Sequence, residues 1–352
     1  MTFADRTILV TGGAGFIGTN LAARAAAAGA RVVILDDLSR SGVTANLARL
    51  TTMLPAADIR VEIGDIRDPL VVRRALVGVD HVFHLAAQVA VTTSVTEPQH
   101  DFAVNLGGTI TLLEEMRRAD SGATLLFTST NKVYGDLADI AIERKGDRYQ
   151  PRSAAVRRHG IGEDRPLSFC SPYGCSKGGA DQYVLDYAKT YGLPSVVFRM
   201  SCIYGPHQCG NEDQGWVAHF LLRAMAGLPI TIFGDGRQVR DALFVDDLLD
   251  AMELTLEQPE AVVGQAFNIG GGPSNTVSLL ELLDLVAVLE ECAPAVGFDD
   301  WRIGDQRCYV SDTRKFSAAT GWAPRVGVAE GVARLHRWAT EHDIVASMAE
   351  AV

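Results

Sequence analysis

No apolar run in this chain approaches the ~18 residues that a helical bilayer crossing needs. The N-terminus, MTFADRTILV, has no basic stretch followed by a long apolar run, so no secretory signal is visible. Cysteine is sparse and scattered. Cys170, Cys175, Cys202, Cys209, Cys292 and Cys308 form neither a disulfide framework nor paired CxxC spacing. A reduced, cytoplasmic protein without a metal site is the expectation. Positive charge is in deficit: 32 Lys and Arg stand against 43 Asp and Glu, a formal net charge of −11. That excludes a general nucleic-acid or anionic-membrane surface. Any anionic ligand must be held by a local cluster of arginines. Internal repeats and low-complexity tails are absent as well.

What the chain does have is length and apolar content. Its 352 residues, 47% of them hydrophobic, suit one large α/β unit or two lobes. TILVT (7–11), RVVILD (31–36), DIRVEIGD (58–65), DHVFHLAA (80–87), TLLFTST (124–130) and SVVFRMS (195–201) read as strands. Residues 15–30, 69–77, 99–118 and 172–191 carry helical patterns between them. This alternation predicts an α/β fold of Rossmann type, a doubly wound parallel sheet with ligands along one edge. The expected organisation is a nucleotide-binding domain over 1–200 and a smaller substrate-binding lobe over 201–345. The two interleave, because AFNIG (266–270) reads as a return to the sheet. A polar insertion, 136–170, has no clear period. Its expected role is a loop over the substrate that orders on binding.

In TILVTGGAGFIGTNL, Gly12, Gly15 and Gly18 fall between a strand and a helix. Glycine permits the tight turn and the close approach of backbone N–H groups to a pyrophosphate, and the helix N-terminus adds partial positive charge. A glycine trio alone could be only a tight turn; its placement favours a dinucleotide. Asp36 ends the second strand, where a ribose would sit. A carboxylate there accepts from both ribose hydroxyls and repels a 2′-phosphate, which favours NAD over NADP. Arg40 works against that preference. Asp65 ends the third strand and could cap the adenine amine.

PYGCSK places Tyr173 and Lys177 four apart, on one helix face. A phenol is a poor base at neutral pH unless a nearby cation favours its ionised form. Lys177 is placed to be that cation, and Thr130, closing FTST, to share a substrate hydroxyl. These groups suit reversible oxidation of an alcohol to a ketone, with hydride passing to NAD⁺.

TGGAGFIG, HLAAQ, STNKVYGD, SPYGCSK and FRMSCIYGP stand in this order. On these motifs the chain, from about residue 7 to about 340, resembles the extended short-chain dehydrogenase/reductase family, specifically its nucleotide-sugar epimerases and dehydratases. The resemblance implies Tyr173 as acid/base, Lys177 as its tuner and Thr130 as hydroxyl partner. It implies NAD contacts at Phe16 and Ile17 in the cradle, at Asp37, Ser39 and Arg40, and at Ile66 beside Asp65. It extends them to Leu85, Ala86, Ala87 and Gln88 of HLAAQ, to Asn105 and to Thr128. For Asn105 a purely structural role is equally open. The family's 4,6-dehydratases carry an acidic pair where this chain has Asn131 and Lys132. Neither is a carboxylic acid, so epimerisation through a transient ketone is expected instead of dehydration.

The substrate side follows. Arg240 and Arg302 are candidates for a diphosphate, since arginine binds phosphate as a bidentate fork. Gln208, Gln214 and Trp216 could fit a pyrimidine and its ribose. Gln88, Asn131 and Lys132 would face the sugar, with Lys132 steadying an enolate or a hydroxyl. His207 and His219 read as structural. YGPHQCGNEDQGWV and GDQRCYVSDTRK look most like the family's CDP-sugar 2-epimerases, which implies a CDP-sugar oxidised at C2. The residues alone do not choose C2 over C4. A UDP-sugar 4-epimerase, a net dehydrogenase and an NAD-binding sensor stay open. The resemblance also implies a homodimer through helices 99–118 and 172–191.

Overall fold

The computed structural model describes residues 3–211, 213–302 and 304–345. Seven strands form its central sheet: β1 (Thr7–Thr11), β2 (Arg31–Asp36), β3 (Ile59–Ile63), β4 (His81–His84), β5 (Thr124–Thr130), β6 (Ser195–Met200) and β7 (Ala266–Ile269). Their spatial order is β7-β6-β5-β4-β1-β2-β3, and every neighbouring pair is parallel. Inner strands such as β1, β5 and β6 are buried along almost their whole length. Helices cover both faces, so these strands read as continuous apolar runs. Strand order reverses between β1 and β4, which opens a crevice beyond their C-terminal ends.

Alternation along β1 shows the two faces. Ile8 and Val10 join one apolar cluster and Leu9 the other. The first cluster continues through Val217, Phe220 and Leu243 into the C-terminal half, so that half shares a core with the sheet. There the buried strand Val239–Phe244 pairs with Thr276–Ser278, Cys308–Tyr309 and Cys202–Tyr204.

Five helices matter for the site: α1 (Phe16–Ala27), α2 (Val43–Met53), α3 (Pro69–Ala75), α4 (Gly108–Ala119) and α5 (Ser171–Tyr191). Helix α2 is absent from the sequence reading. It buries only Val43, Asn46 and Leu50, too narrow a stripe to stand out as a period. The expected helix 99–118 is interrupted: Pro98–Phe102 is α-helical, Ala103–Gly107 forms a π turn, and α4 follows. Helix α5 carries Pro172 in its first turn and stops at the left-handed Gly192.

Residues 136–170 correct the expectation of a structureless substrate cover. They contain an antiparallel hairpin, Ile142–Lys145 with Arg148–Pro151, and a helix, Ala154–His159. The segment is tied to the C-terminal half. Tyr149 N donates to Arg237 O at 2.9 Å, Ile161 N to Val310 O at 2.8 Å, and Arg148 Nη2 to Glu281 Oε2 at 2.8 Å. Val133, Tyr134, Leu137, Ile161 and Tyr309 pack together around it. This small apolar cluster and the tertiary bonds together hold the segment, and its apolar residues are too scattered to show a period.

Candidate active site

The turn from β1 into α1 is built from close backbone contacts. Gly12 has φ +68°, and a Cβ there would lie 2.8 Å from Ala86 N. Gly15 precedes α1, which has no side-chain cap and no acidic residue in its first turn. A Cβ on Gly15 would meet only Gly12 O, at 3.1 Å, so its other side is open. Gly15, Phe16, Ile17 and Gly18 line a cavity of about 580 Å³. Unsatisfied first-turn amides and the dipole thus face the cavity, and they fit a dinucleotide pyrophosphate.

Asp36 sits beside this turn. Its Oδ2 accepts from Ala14 N at 3.0 Å and its Oδ1 from Leu38 N at 2.9 Å. Burial raises its carboxyl above the usual range, against the pull of those two amides. Asp37 Oδ1 accepts from the Ser39 hydroxyl at 2.6 Å, and Asp65 is forked to Arg67. Asp36, Asp37, Ser39, Asp65, Ile66 and Ala86 lie outside the cavity wall, whereas Arg40, Leu85, Ala87 and Thr128 are part of it. Arg40 reaches across to Gln214 Oε1 at 2.6 Å.

Tyr173, Lys177 and Thr130 converge on the same cavity. Thr130 ends β5, and its hydroxyl accepts from Lys132 N at 3.2 Å, capping the short 3-10 turn Asn131–Tyr134. The same hydroxyl donates to Asn131 Oδ1 at 3.3 Å. Burial pushes the Tyr173 phenol up to about 12; Thr130 draws it down, Asp101 adds to the rise and Arg40 opposes it. The groups that draw it down are Thr130 and Arg40, where the sequence pointed to Lys177. Lys177 is itself buried, with Nζ 4.2 Å from the Phe127 ring centroid. Burial lowers its ammonium to about 7, against Asp181 and Asp101.

Asn105 and Gln88 also lie outside the cavity wall. The Asn105 amide, in the π turn, accepts from Gln88 N at 2.9 Å. It donates to Gln88 O at 3.0 Å, Asp101 Oδ1 at 3.0 Å and Ser176 Oγ at 3.1 Å. The geometry favours the structural role left open above: it ties the loop after β4 to α5. Gln88 Nε2 turns back to Ala90 O at 2.9 Å.

The remaining substrate candidates line the cavity: Asn131, Lys132, Gln208, Gln214, Arg240 and Arg302. Asn131 Nδ2 donates to Gln306 Oε1 at 3.0 Å. The Arg302 guanidinium lies 3.7 Å over the Phe233 ring centroid and 3.2 Å from Asp213. Asp305, which sequence reasoning missed, organises two cations. Its Oδ1 accepts from Arg240 Nη2 at 2.6 Å and lies 3.7 Å from Lys132 Nζ. Its place three residues after Arg302 was the available signal. His207 packs 5.1 Å from Trp338, ring to ring, and burial lowers it to about 4, which agrees with a structural reading.

A glycine cradle at the switch point, with a half-buried tyrosine and a buried threonine and lysine lining the same cavity, defines a nicotinamide-dependent enzyme site on a Rossmann sheet. The chain belongs to the NAD dependent epimerase/dehydratase family, whose model matches residues 8–270. It is an NAD-dependent enzyme of the isomerase class. CDP-paratose 2-epimerase of Salmonella typhi is 41% identical over 340 residues, covering 94% of this chain and 98% of that protein. Among solved structures, UDP-glucose 4-epimerase of Thermotoga maritima with UDP-glucose has a TM-score of 0.81 and 30% identity, covering 96% of this chain and 99% of that one. UDP-glucuronic acid 4-epimerase of Bacillus cereus, in complex with UDP-glucuronic acid and NAD, has a TM-score of 0.80 and 26% identity, with the same coverages.

Proposed function

We propose that this chain epimerises CDP-paratose to CDP-tyvelose at C2. One observation carries the reading: Thr130, Tyr173 and Lys177 line the same cavity that the glycine cradle opens into. The 41% identity to CDP-paratose 2-epimerase supports the choice of substrate. Bound NAD⁺ supplies the hydride acceptor and, on return, the donor. The chain does the rest. The Tyr173 oxygen, in the ionised form that the positive charge of the bound cofactor would favour, takes the proton of the sugar carbinol as the carbon becomes a ketone, and returns it when the hydride comes back to the other face. Thr130 holds the carbinol oxygen in line with the phenol. Asn131, an amide fixed by Gln306, and Lys132 supply no carboxylic acid for elimination of water. Arg240 and Arg302 carry the diphosphate charge, and Gln208 and Gln214 face the nucleoside.

The same reading includes a cytoplasmic homodimer. All six cysteines are free, and Phe102, Tyr183 and Tyr191 are exposed on the helices expected to form the contact. Sedimentation at micromolar concentration checks the dimer. The function is tested with a panel of CDP-, UDP- and GDP-sugars and NMR of the products. Inversion at C2 of the CDP-sugar, without net NADH at 340 nm, is the expected outcome. Turnover only with a UDP-hexose at C4 would replace the proposal with a 4-epimerase.

A further inference from the structure

A site that oxidises C2 faces a charge problem that a C4 site does not. C2 is bonded to the anomeric carbon that carries the diphosphate, whereas C4 lies across the ring from it. Bringing C2 to the phenol therefore brings a phosphate close to the reacting centre, deep in a chain of net charge −11. Some cation must meet it there.

Lys132 is that deep cation. It follows Thr130, which lines the cavity together with Tyr173, by two residues, and its backbone N–H donates to the Thr130 hydroxyl. Its side chain is 17% exposed and lines the cavity. An ammonium has three donors. Gly304 O takes one, at 3.1 Å, and Asp305 lies 3.7 Å away. Asp305 is already held by Arg240 at 2.6 Å, so two cations share one carboxylate and a positive charge is left over at the cavity wall. Burial and Arg240 push the ammonium down to about 8, against Asp305 and Cys170.

Resting on the C2 reading above, we infer that Lys132 anchors the sugar-linked phosphate beside Tyr173 and so selects C2 over C4. Arg240 holds the outer side of the same group, with Asp305 fixing both cations.

The test uses the NAD-loaded enzyme with CDP and CMP as probes. Lys132→Gln should weaken CDP by about 10- to 100-fold, the range of a charge-assisted hydrogen bond, and leave CMP unchanged. Lys132→Arg should restore most of the preference. An unaltered CDP-over-CMP ratio in Lys132→Gln overturns the inference. So does a fall in turnover with no change in CDP affinity, which would make Lys132 a sugar-hydroxyl or enolate contact. The wild-type enzyme gives a second reading that no folding defect can spoil. Its CDP preference should fade as pH rises through about 8, where the ammonium loses its proton. Asp305, Arg240 and Cys170 face this group, so the fade must survive Cys170→Ser; a flat profile, or its loss in that variant, overturns the assignment. Absence of C2 turnover in the wild type would defeat the functional reading separately, with the CDP and CMP affinities still judging Lys132.

Discussion

Arg199 and Asp181 meet out of reach of water: Nε and Nη2 of the guanidinium each donate to a carboxylate oxygen at 2.9 Å, with side chains 5% and 0% exposed. Asp181 lies one turn beyond Lys177 on α5, and Arg199 is on β6. Arg199 Nη1 also donates to the Tyr134 hydroxyl at 3.2 Å, which donates in turn to Asn268 Oδ1 at 2.8 Å. The pair therefore clamps the helix carrying Tyr173 and Lys177 to the sheet.

Breaking this clamp on one side leaves a lone buried charge. Arg199→Met should cost about 3–5 kcal/mol, read as a lowered urea midpoint at unchanged m-value. Arg199→Met combined with Asp181→Leu should recover much of that loss, because neither charge then remains. A single variant within about 1 kcal/mol of the parent would refute the clamp.

Tyr173→Phe removes the proton-carrying oxygen and little else. Turnover should fall by at least the 10²–10⁴-fold that acid–base catalysis contributes, while bound NAD, measured after denaturation, stays at the parental level. Thr130→Val should give a smaller loss and raise the phenol further, because Thr130 is the first group opposing burial there. Parental turnover in Tyr173→Phe would remove this phenol from the proton transfer.

Much of this site was legible before any coordinates. The buried strands announce themselves as apolar runs, and the glycine turn and the PYGCSK helix lie on either side of the crevice that those strands create. What stayed hidden depends on long-range pairing. Asp305 matters because Arg240 and Lys132, distant in sequence, close on it. The hairpin 142–151 has three charged residues in its first strand and only Arg148 in its second, and it is held by bonds to Arg237, Thr276 and Glu281. Lys177 shares a helix face with Tyr173 as the spacing required, yet its ammonium rests over Phe127, and only coordinates reveal that.

Acid should unfold the chain partly through His84. The ring lies between Thr11 Oγ1 at 2.7 Å and Thr109 Oγ1 at 3.0 Å and is 1% exposed. Burial, with Lys177 adding, lowers it from 6.5 to about 3. Below pH 6.5 the unfolded chain binds a proton that the folded chain refuses, so stability falls as pH falls, until the folded ring protonates near 3. The slope is about 1.4 kcal/mol per pH unit for one such group. Between pH about 6 and 4 the parent should lose that much more per unit than His84→Gln, measured by urea unfolding at each pH. Equal slopes would remove His84 from the account.

Gly18 should be intolerant of even one methyl. A Cβ there would strike Gly12 O and lie 2.6 Å from Gly13 Cα, both backbone atoms that cannot swing aside. Gly18→Ala must therefore push α1 away from the turn and shift the amides of Gly15, Phe16 and Ile17. NAD affinity should drop by about 10- to 100-fold, the worth of one charge-assisted hydrogen bond to a pyrophosphate, measured by titration calorimetry. Gly29→Ala supplies the contrast. It sits just beyond the far end of α1 at φ +90°, with nothing within 4 Å of its missing Cβ. It should cost about 1 kcal/mol of stability through backbone strain and leave NAD affinity untouched. If both variants bind NAD alike, the cradle is not where the pyrophosphate rests.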